Sequence, residues 1–278
     1  MTTKKQAELD LEVTMYIKAF LLWTLSLVSL AGYSQELKAM SYNIRIASPP
    51  SKGWGVTEID SIAVVIKRSK AQLVALQEVD VNTERSGRDL DQAKKLGELT
   101  GMNFFFAKAV DRSSGDYGVA ILSSFPIKNA FAYQIKSPDS TLNENRALAV
   151  IELKVQNKEL IFASFHLDHL NDEVRSHQLD QIFKYLDKFK HKPLLLGADL
   201  NMNSKSSLFP KIKKAGFKIL DTNMNSLTFP NDVPKTTLDY FMFNDKFSRI
   251  FINPKFEVLT DENKASDHLP IIISTTIN

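Results

Sequence analysis

Pro193–Asn201, PLLLGADLN, is the stretch that decides the reading of this chain. Three leucines in succession belong inside a protein. After two small residues come a carboxylate, Asp199, and then an amide, Asn201. A strand that runs through the interior and ends on polar side chains delivers them somewhere. Asp and Asn are also ordinary turn formers and helix caps, because their side chains bond nearby backbone N–H groups. The rest of the chain must therefore decide between a turn and a site.

The same pattern recurs. One β-like run closes on Asn43 in MSYNIR, another on Glu78 in ALQEVD, and a third on His166 and Asp168 in ASFHLDH. LDYFMF opens a strand with Asp239, and SDHLP places Asp267 and His268 just before the last strand. In a layered sheet protein, strand ends on one edge converge on one crevice. Five carboxylates, two asparagines and two histidines would then share a small volume. Like charges that close repel, and burial raises the cost. A bound cation relieves this. Oxygen donors without cysteine favour a hard ion, Mg²⁺ above Zn²⁺.

Periodicity supplies the organisation. Strands are expected at Leu37–Ile44, Leu73–Leu76, Phe104–Phe106, Gly118–Leu122, Ala147–Val155, Leu160–Phe165, Leu194–Leu196, Leu238–Phe243, Phe256–Leu259 and Pro270–Ser274. Helices are expected from Ile59 to about Lys67 behind a capping box at Thr57–Asp60, over Asp89–Thr100 with Gly101 closing it, over Asp172–Lys190, and near Ser206–Lys214. Gln156–Lys158 reads as a hairpin turn. About ten strands interleaved with helices predict buried sheets with helices outside.

The chain has 278 residues, 44% hydrophobic and 24% charged, which suits a large core. With 35 basic and 32 acidic residues the net charge is +3. That is far from the basic excess of a protein that holds nucleic acid by charge alone. The absence of cysteine excludes disulfides, thiolate metal sites and a cysteine nucleophile. Residues 1–34 read as a polar extension followed by a signal peptide. Lys18 precedes the apolar run Ala19–Ala31, and Gly32 and Ser34 are the small residues before a cut ahead of Gln35. The run is short for a membrane span, which needs about 20 residues, although a retained anchor is the alternative. One domain over residues 35–278, exported to the periplasm or beyond, is the expectation, with a monomer as the expected state.

The ordered set SYN, LQEV, HL, GADLN, DY and SDHLP resembles the endonuclease/exonuclease/phosphatase superfamily, the DNase I-like metal-dependent phosphoesterases, over about Leu37 to Ile273. The resemblance implies an α/β fold, a four-layer sandwich of two central sheets flanked by helices. It also implies hydrolysis of a phosphoester with Mg²⁺, for which Mn²⁺ is the expected substitute. By the same resemblance Glu78 is the principal metal ligand, Asp267 joins the shell directly or through water, and Asn43 stands beside the metal and holds phosphate or Asp199. Asp199 activates the attacking water. Asn201, His166 and His268 donate to phosphoryl oxygens, and Asp239 orients His268 as carboxylates orient catalytic imidazoles. Arg146, Asp168, Tyr117 and Trp54 make up the expected substrate-binding set. Arg85 and Arg88 are weaker candidates for a second phosphate. His169, His177 and His191 carry no motif and read as surface residues. A small or lipid-derived phosphoester is the favoured substrate. Nucleic acid is the less favoured partner, through a secreted nuclease, and a non-catalytic binding module is the third reading.

Overall fold

In the computed structural model, twelve strands form two six-stranded sheets. The structure describes Met15 and residues 36–139, 142–220 and 226–278. The signal-peptide and cleavage readings, and residues 140 and 141 of the loop between Ser137 and Asn145, lie outside these. Among the described residues no helix is long and apolar enough to cross a membrane.

The first sheet comprises β1 (Glu36–Asn43), β2 (Leu73–Val81), β3 (Asn103–Arg112), β4 (Gly115–Ser123), β11 (Phe251–Val258) and β12 (Ile271–Ile277), in the order β11-β12-β1-β2-β4-β3. The second comprises β5 (Asn129–Ile135), β6 (Arg146–Val155), β7 (Lys158–His166), β8 (Leu194–Asp199), β9 (Phe217–Ile219) and β10 (Asp239–Asn244), in the order β5-β6-β7-β8-β10-β9. Each sheet contains one parallel pair, β1 with β2 and β7 with β8. The helices are α1 (Ile59–Ser69), α2 (Gln92–Thr100), α3 (Asp172–Leu186), α4 (Phe209–Lys214) and α5 (Asp245–Ile250). Two six-stranded mixed sheets flanked by helices are the fold expected.

Three apolar clusters fill the layers. Leu37, Leu73, Phe162, Leu195 and Phe241 pack between the sheets. Met40, Val74 and Leu76 face Ile62, Ile66 and Leu96 of the helices on one side. Ile161, Leu194 and Leu196 meet Leu179, Ile182 and Leu186 on the other. This explains the opening leucines. Successive residues of a strand point to opposite faces. Leu195 therefore enters the space between the sheets while Leu194 and Leu196 pack on the helices.

The same alternation positions the polar residues. Along β1 the inward residues are Leu37, Ala39, Ser41 and Asn43. Along β7 they are Leu160, Phe162, Ser164 and His166, and along β8 Leu195, Gly197 and Asp199. β10 runs the other way, from Asp239 to Phe241 and Phe243. The inner faces of β1, β7 and β8 pass from bulky apolar through small to polar, and that of β10 from Phe243 and Phe241 directly to Asp239, all toward the same edge. At that edge Gln77 Nε2 donates to Ser164 Oγ (3.1 Å), and Ser164 Oγ donates to the Leu76 carbonyl (3.0 Å), joining the sheets.

Gly197 sets the spacing there. A Cβ on it would lie 2.8 Å from Ala75 Cβ and 2.9 Å from Ser41 Cβ. Gly197→Ala should force the sheets apart beneath the site and cost about 1–3 kcal/mol. Equilibrium denaturation would measure this, and an unchanged midpoint would show that the sheets are free to give.

Sequence periodicity left out β5, β9 and α5, which are short or half-exposed. Three helix starts and ends also differ from expectation. Thr57 does not cap α1; the N-cap is Glu58, with no side-chain cap bond. α2 begins at Gln92 rather than Asp89, because Asp91 is the cap, its side chain accepting from Lys94 N (2.9 Å). α3 ends at Leu186, and residues 187–189 continue as a 3₁₀ turn.

Candidate active site

Strand register assembles half of the site. His166 pairs with Asp199 across β7 and β8, and Asp199 pairs with Asp239 across β8 and β10. Three side chains at one register on adjacent strands share a face. β12, antiparallel to β1, starts at the same edge, so His268 arrives just ahead of it.

Glu78 comes by a different route. It does not close its strand, since β2 continues to Val81. By strict alternation Glu78 would follow Leu76 toward the helices. Instead the register with β4 slips between Leu76 and Val79, and Glu78 has φ 56°. Val79 then packs on the helical side with Val74 and Leu76, which shows that the parity has switched. The bulge re-aims Glu78 into the cleft. Bulges and left-handed non-glycine residues cluster at functional sites for this reason.

The result is a cavity of about 360 Å³, lined among others by Glu78, Tyr117, Arg146, His166, Asp199, Asn201, Asp267 and His268. A larger hollow of about 530 Å³ between residues 49–68 and 261–265 holds compensated pairs, Lys52 with Glu58 and Arg68 with Glu262, and no convergence of acids and imidazoles.

Asn43 is buried, and its amide nitrogen donates to both Glu78 Oε1 (3.1 Å) and Asp199 Oδ2 (3.0 Å). Its oxygen accepts from the Arg45 backbone N–H (3.0 Å). Holding Asp199 is one of the roles expected of Asn43. Asn43 is a clamp that holds two carboxylates in place. Asp199 also accepts from the Asn201 backbone N–H (2.9 Å). Burial pushes the Asp199 carboxyl above the ordinary carboxylate range; the charge of His268 pulls it down, and that of Asp239 pushes it up.

His268 Nδ1 lies 2.9 Å from Asp239 Oδ2, and its Nε2 lies 3.7 Å from Asp199 Oδ2. Burial alone would lower its pKa, but the Asp239 and Asp199 carboxylates outweigh burial and raise it. His268 is thus an imidazolium through neutral pH, donating from Nδ1 to Asp239 and offering Nε2–H to the cavity. Asp239 holds its charge as well as its orientation. Phe229 packs on the imidazole with ring centroids 4.9 Å apart.

His166 differs. Burial first, then the charges of Arg146 and His268, hold its pKa well below the usual histidine value, so it is neutral. Asn201 Nδ2 is 2.8 Å from His166 Nε2 and 3.0 Å from the Leu167 carbonyl. A carbonyl only accepts, which fixes this nitrogen as the donor and makes His166 Nε2 an acceptor. Both expectations of phosphoryl donors are corrected here. His166 and Asn201 satisfy one another and brace Asp199.

The remaining cationic donor is Arg146. It is buried, its Nη1 pairs with Glu144 Oε2 (3.0 Å), and its Nε has no partner. Arg146 lines the cavity, and a guanidinium there suits an anionic oxygen. On the acidic side, Glu78 is raised by burial and then, among charges, by Asp267; Asn43, His268 and Arg146 oppose the rise.

Tyr117 lines the cavity, its phenol held neutral by burial and by the charge of Glu78, with the Arg85 guanidinium over its ring (5.2 Å to the centroid). Arg85 itself is held by Asp80 through two bonds of 2.8 Å, and Arg88 pairs with Glu84 on the surface, so neither is set to take a second phosphate. Asp168 is a correction as well. It does not line the cavity. Its Oδ1 accepts from Leu170 N (2.8 Å) and Asn171 N (3.4 Å), an Asx turn leading into α3. Trp54 lies off the cavity, linked to it through Arg45 and Asp267. Sequence reasoning missed His169, which lines the cavity, and also Glu144, Phe229 and Leu238. Only the spacing HLDH hinted at His169. His177 and His191 are exposed.

Asp199, Asp239 and His268 bring ligand-type atoms within 4.8 Å of one another. Within that group His268 Nδ1 is already engaged by Asp239 Oδ2.

Solved structures share this fold. A protein of the same superfamily from Beutenbergia cavernae has TM-score 0.69 at 19% identity, over 88% of this chain and 72% of that one. A mannosyl-6-phosphatase from Bacteroides thetaiotaomicron has TM-score 0.68 at 19% identity, over 87% and 100%. TDP2 from Caenorhabditis elegans has TM-score 0.62 at 18% identity, over 87% and 74%. No curated protein matches the sequence. The sequence itself matches the Endonuclease/Exonuclease/phosphatase family over residues 40–268, from β1 to His268, and those bounds enclose every strand-end acid and imidazole described above. With that match across most of its length, this chain belongs to the endonuclease/exonuclease/phosphatase family, whose members are phosphoester hydrolases.

Proposed function

We propose that this chain hydrolyses a small phosphoester with the help of a divalent cation, Mg²⁺ first and Mn²⁺ as substitute. One observation carries the reading. The cavity lining joins two repelling carboxylates, Glu78 and Asp267, to a cationic side chain, Arg146, and a base of raised pKa, Asp199. Glu78 and Asp267 fit a hard cation by donor chemistry: they are oxygen ligands whose mutual repulsion a cation relieves. A cation held there would offset charge on the phosphoryl and leaving oxygens.

The chain's own residues supply the rest. Arg146 and His268 bind phosphoryl oxygens and orient the phosphorus. Asp199 takes a proton from the attacking water. Asn43 bridges Glu78 and Asp199, and Asn201, braced by His166, holds the Asp199 side chain through its backbone N–H. Preorganised donors aimed at developing charge are the largest source of rate in such sites. A cavity of about 360 Å³ suits a small molecule. The nearly balanced charge of the chain weighs against a nucleic-acid track.

The test is a panel of sugar phosphates, glycerol phosphate, phosphodiesters, phospholipids, DNA and RNA, each with Mg²⁺, Mn²⁺ and chelator. Turnover of small esters that stops in chelator is the expected result. Turnover confined to DNA or RNA would make the chain a nuclease. Full turnover in chelator would remove the cation from the reading.

A further inference from the structure

The acidic wall of the cavity continues outward. Asp267 Oδ2 pairs with Arg45 Nε at 3.1 Å, and the Arg45 guanidinium lies over the Trp54 ring, 4.2 Å from its centroid. The assembly is held in place. Arg45 Nη1 donates to the Ser48 carbonyl (2.6 Å), and its backbone N–H donates to Asn43 Oδ1. Ser48 Oγ donates to the Gly53 carbonyl (3.0 Å), and Glu58 N–H to the Ala47 carbonyl (2.7 Å), which closes the loop at its base.

The burial is unusual. The Arg45 side chain is 13% exposed, whereas Trp54 is 69% exposed. Tryptophan is normally well buried, and here a largely buried arginine supports one that leaves much of its surface to solvent. Val56, 41% exposed, is the one other large apolar side chain that loop exposes, and alone it makes no groove for an acyl chain beside the ring. Its neighbours are Ser51, Lys52, Gly53 and Gly55, and Lys52 is paired with Glu58. Nor is there an open run of cations for a polynucleotide, since Arg45 and Lys52 are both neutralised. One supported flat ring beside a phosphate site fits one ring on the substrate.

We propose that Trp54, carried by Arg45, is a stacking platform for the alcohol part of the substrate, and that this alcohol is a sugar ring. The proposal rests on the phosphoesterase reading above. Aliphatic C–H faces of a sugar pack on an indole, and the Arg45–Asp267 pair fixes the platform relative to the phosphate.

The experiment is steady-state kinetics of the full chain and of Trp54→Ala and Trp54→Phe, with Mg²⁺. The substrates are a hexose 6-phosphate, a nucleoside 5′-monophosphate and glycerol phosphate. Trp54→Ala should raise KM for the hexose ester roughly 5- to 100-fold, the range that loss of one ring stack produces, with kcat within about twofold. Trp54→Phe should recover most of this, and KM for glycerol phosphate should move less than about twofold. A KM effect confined to the nucleotide would overturn the sugar assignment. Unchanged KM on every substrate, or an equal loss of kcat on all three, would overturn the platform, the latter by showing that Trp54 only props Arg45 against Asp267. Wild-type turnover of glycerol phosphate supports the phosphoesterase reading without involving Trp54. No turnover of any ester would overturn that reading and this inference with it.

Discussion

Asp199→Asn should lower turnover by roughly 10²–10⁴-fold while the protein stays folded, the range a positioned general base contributes. The substitution keeps the shape and removes the proton acceptor. It also disturbs two bonds, because Asp199 accepts from Asn201 N–H and from Asn43 Nδ2, and an amide has only one oxygen to offer. The pH dependence separates these causes. Asp199 works unprotonated, and burial raises its pKa, so wild-type activity should fall as pH falls through that raised value. The acid limb should therefore lie above the ordinary carboxylate range. A bound cation moves it down, since nearby positive charge favours the carboxylate. In Asp199→Asn the acid limb should flatten. A limb of unchanged position and steepness in the variant would mean that another group takes the proton.

The second large effect belongs to His268 and Asp239 together. His268→Ala should lower turnover about 10²–10³-fold, the loss typical of one donor aimed at developing charge. The imidazolium is the working form, and the two carboxylates raise its pKa. Activity should fall as pH rises through that raised value. Asp239→Asn removes the carboxylate 2.9 Å from Nδ1, so the alkaline limb should move to lower pH and much of the rate should go with it. If the two act as one unit, Asp239→Asn adds little once His268 is alanine. Kinetics of the single and double variants across pH measure both readouts. Full additivity, or an alkaline limb that Asp239→Asn leaves in place, would separate the pair.

Period-two alternation, read with composition, was enough to place most of these residues. Bulky residues give way to small ones and then to polar ones along the inner faces of β1, β7 and β8, and each inner face follows from the sequence by counting in twos. That makes Asn43, His166 and Asp199 legible as an edge cluster, and the ordered motifs carried the fold and the family. Short or half-exposed elements were not legible. β9 has three residues, and β5 is half-exposed, its alternating Phe131, Tyr133 and Ile135 interleaved with the small or polar residues Ala130, Ala132 and Gln134.

Roles within the cluster were less legible than membership. A donor's role depends on where both its hydrogens go, and only the structure shows that both hydrogens of Asn43 and of Asn201 are already engaged. His166 and His268 are the same residue type with opposite pKa shifts. Burial lowers both; the Asp239 and Asp199 carboxylates outweigh it at His268, whereas at His166, although Asp199 Oδ2 is 3.4 Å from Nε2, the Arg146 and His268 charges add to burial.

The sequence by itself determined the two buried sheets, the edge on which acids, amides and imidazoles gather, and the family. The ordered motifs named Glu78 for the site, but only the tertiary structure showed that it enters the cleft by a bulge that breaks strand alternation. It alone brought Asp267 to Arg45 and Arg45 to Trp54. Alternation is local and can be read one strand at a time. Register slips and partners more than a hundred residues away depend on how the sheets pack, and no stretch of one strand carries that information.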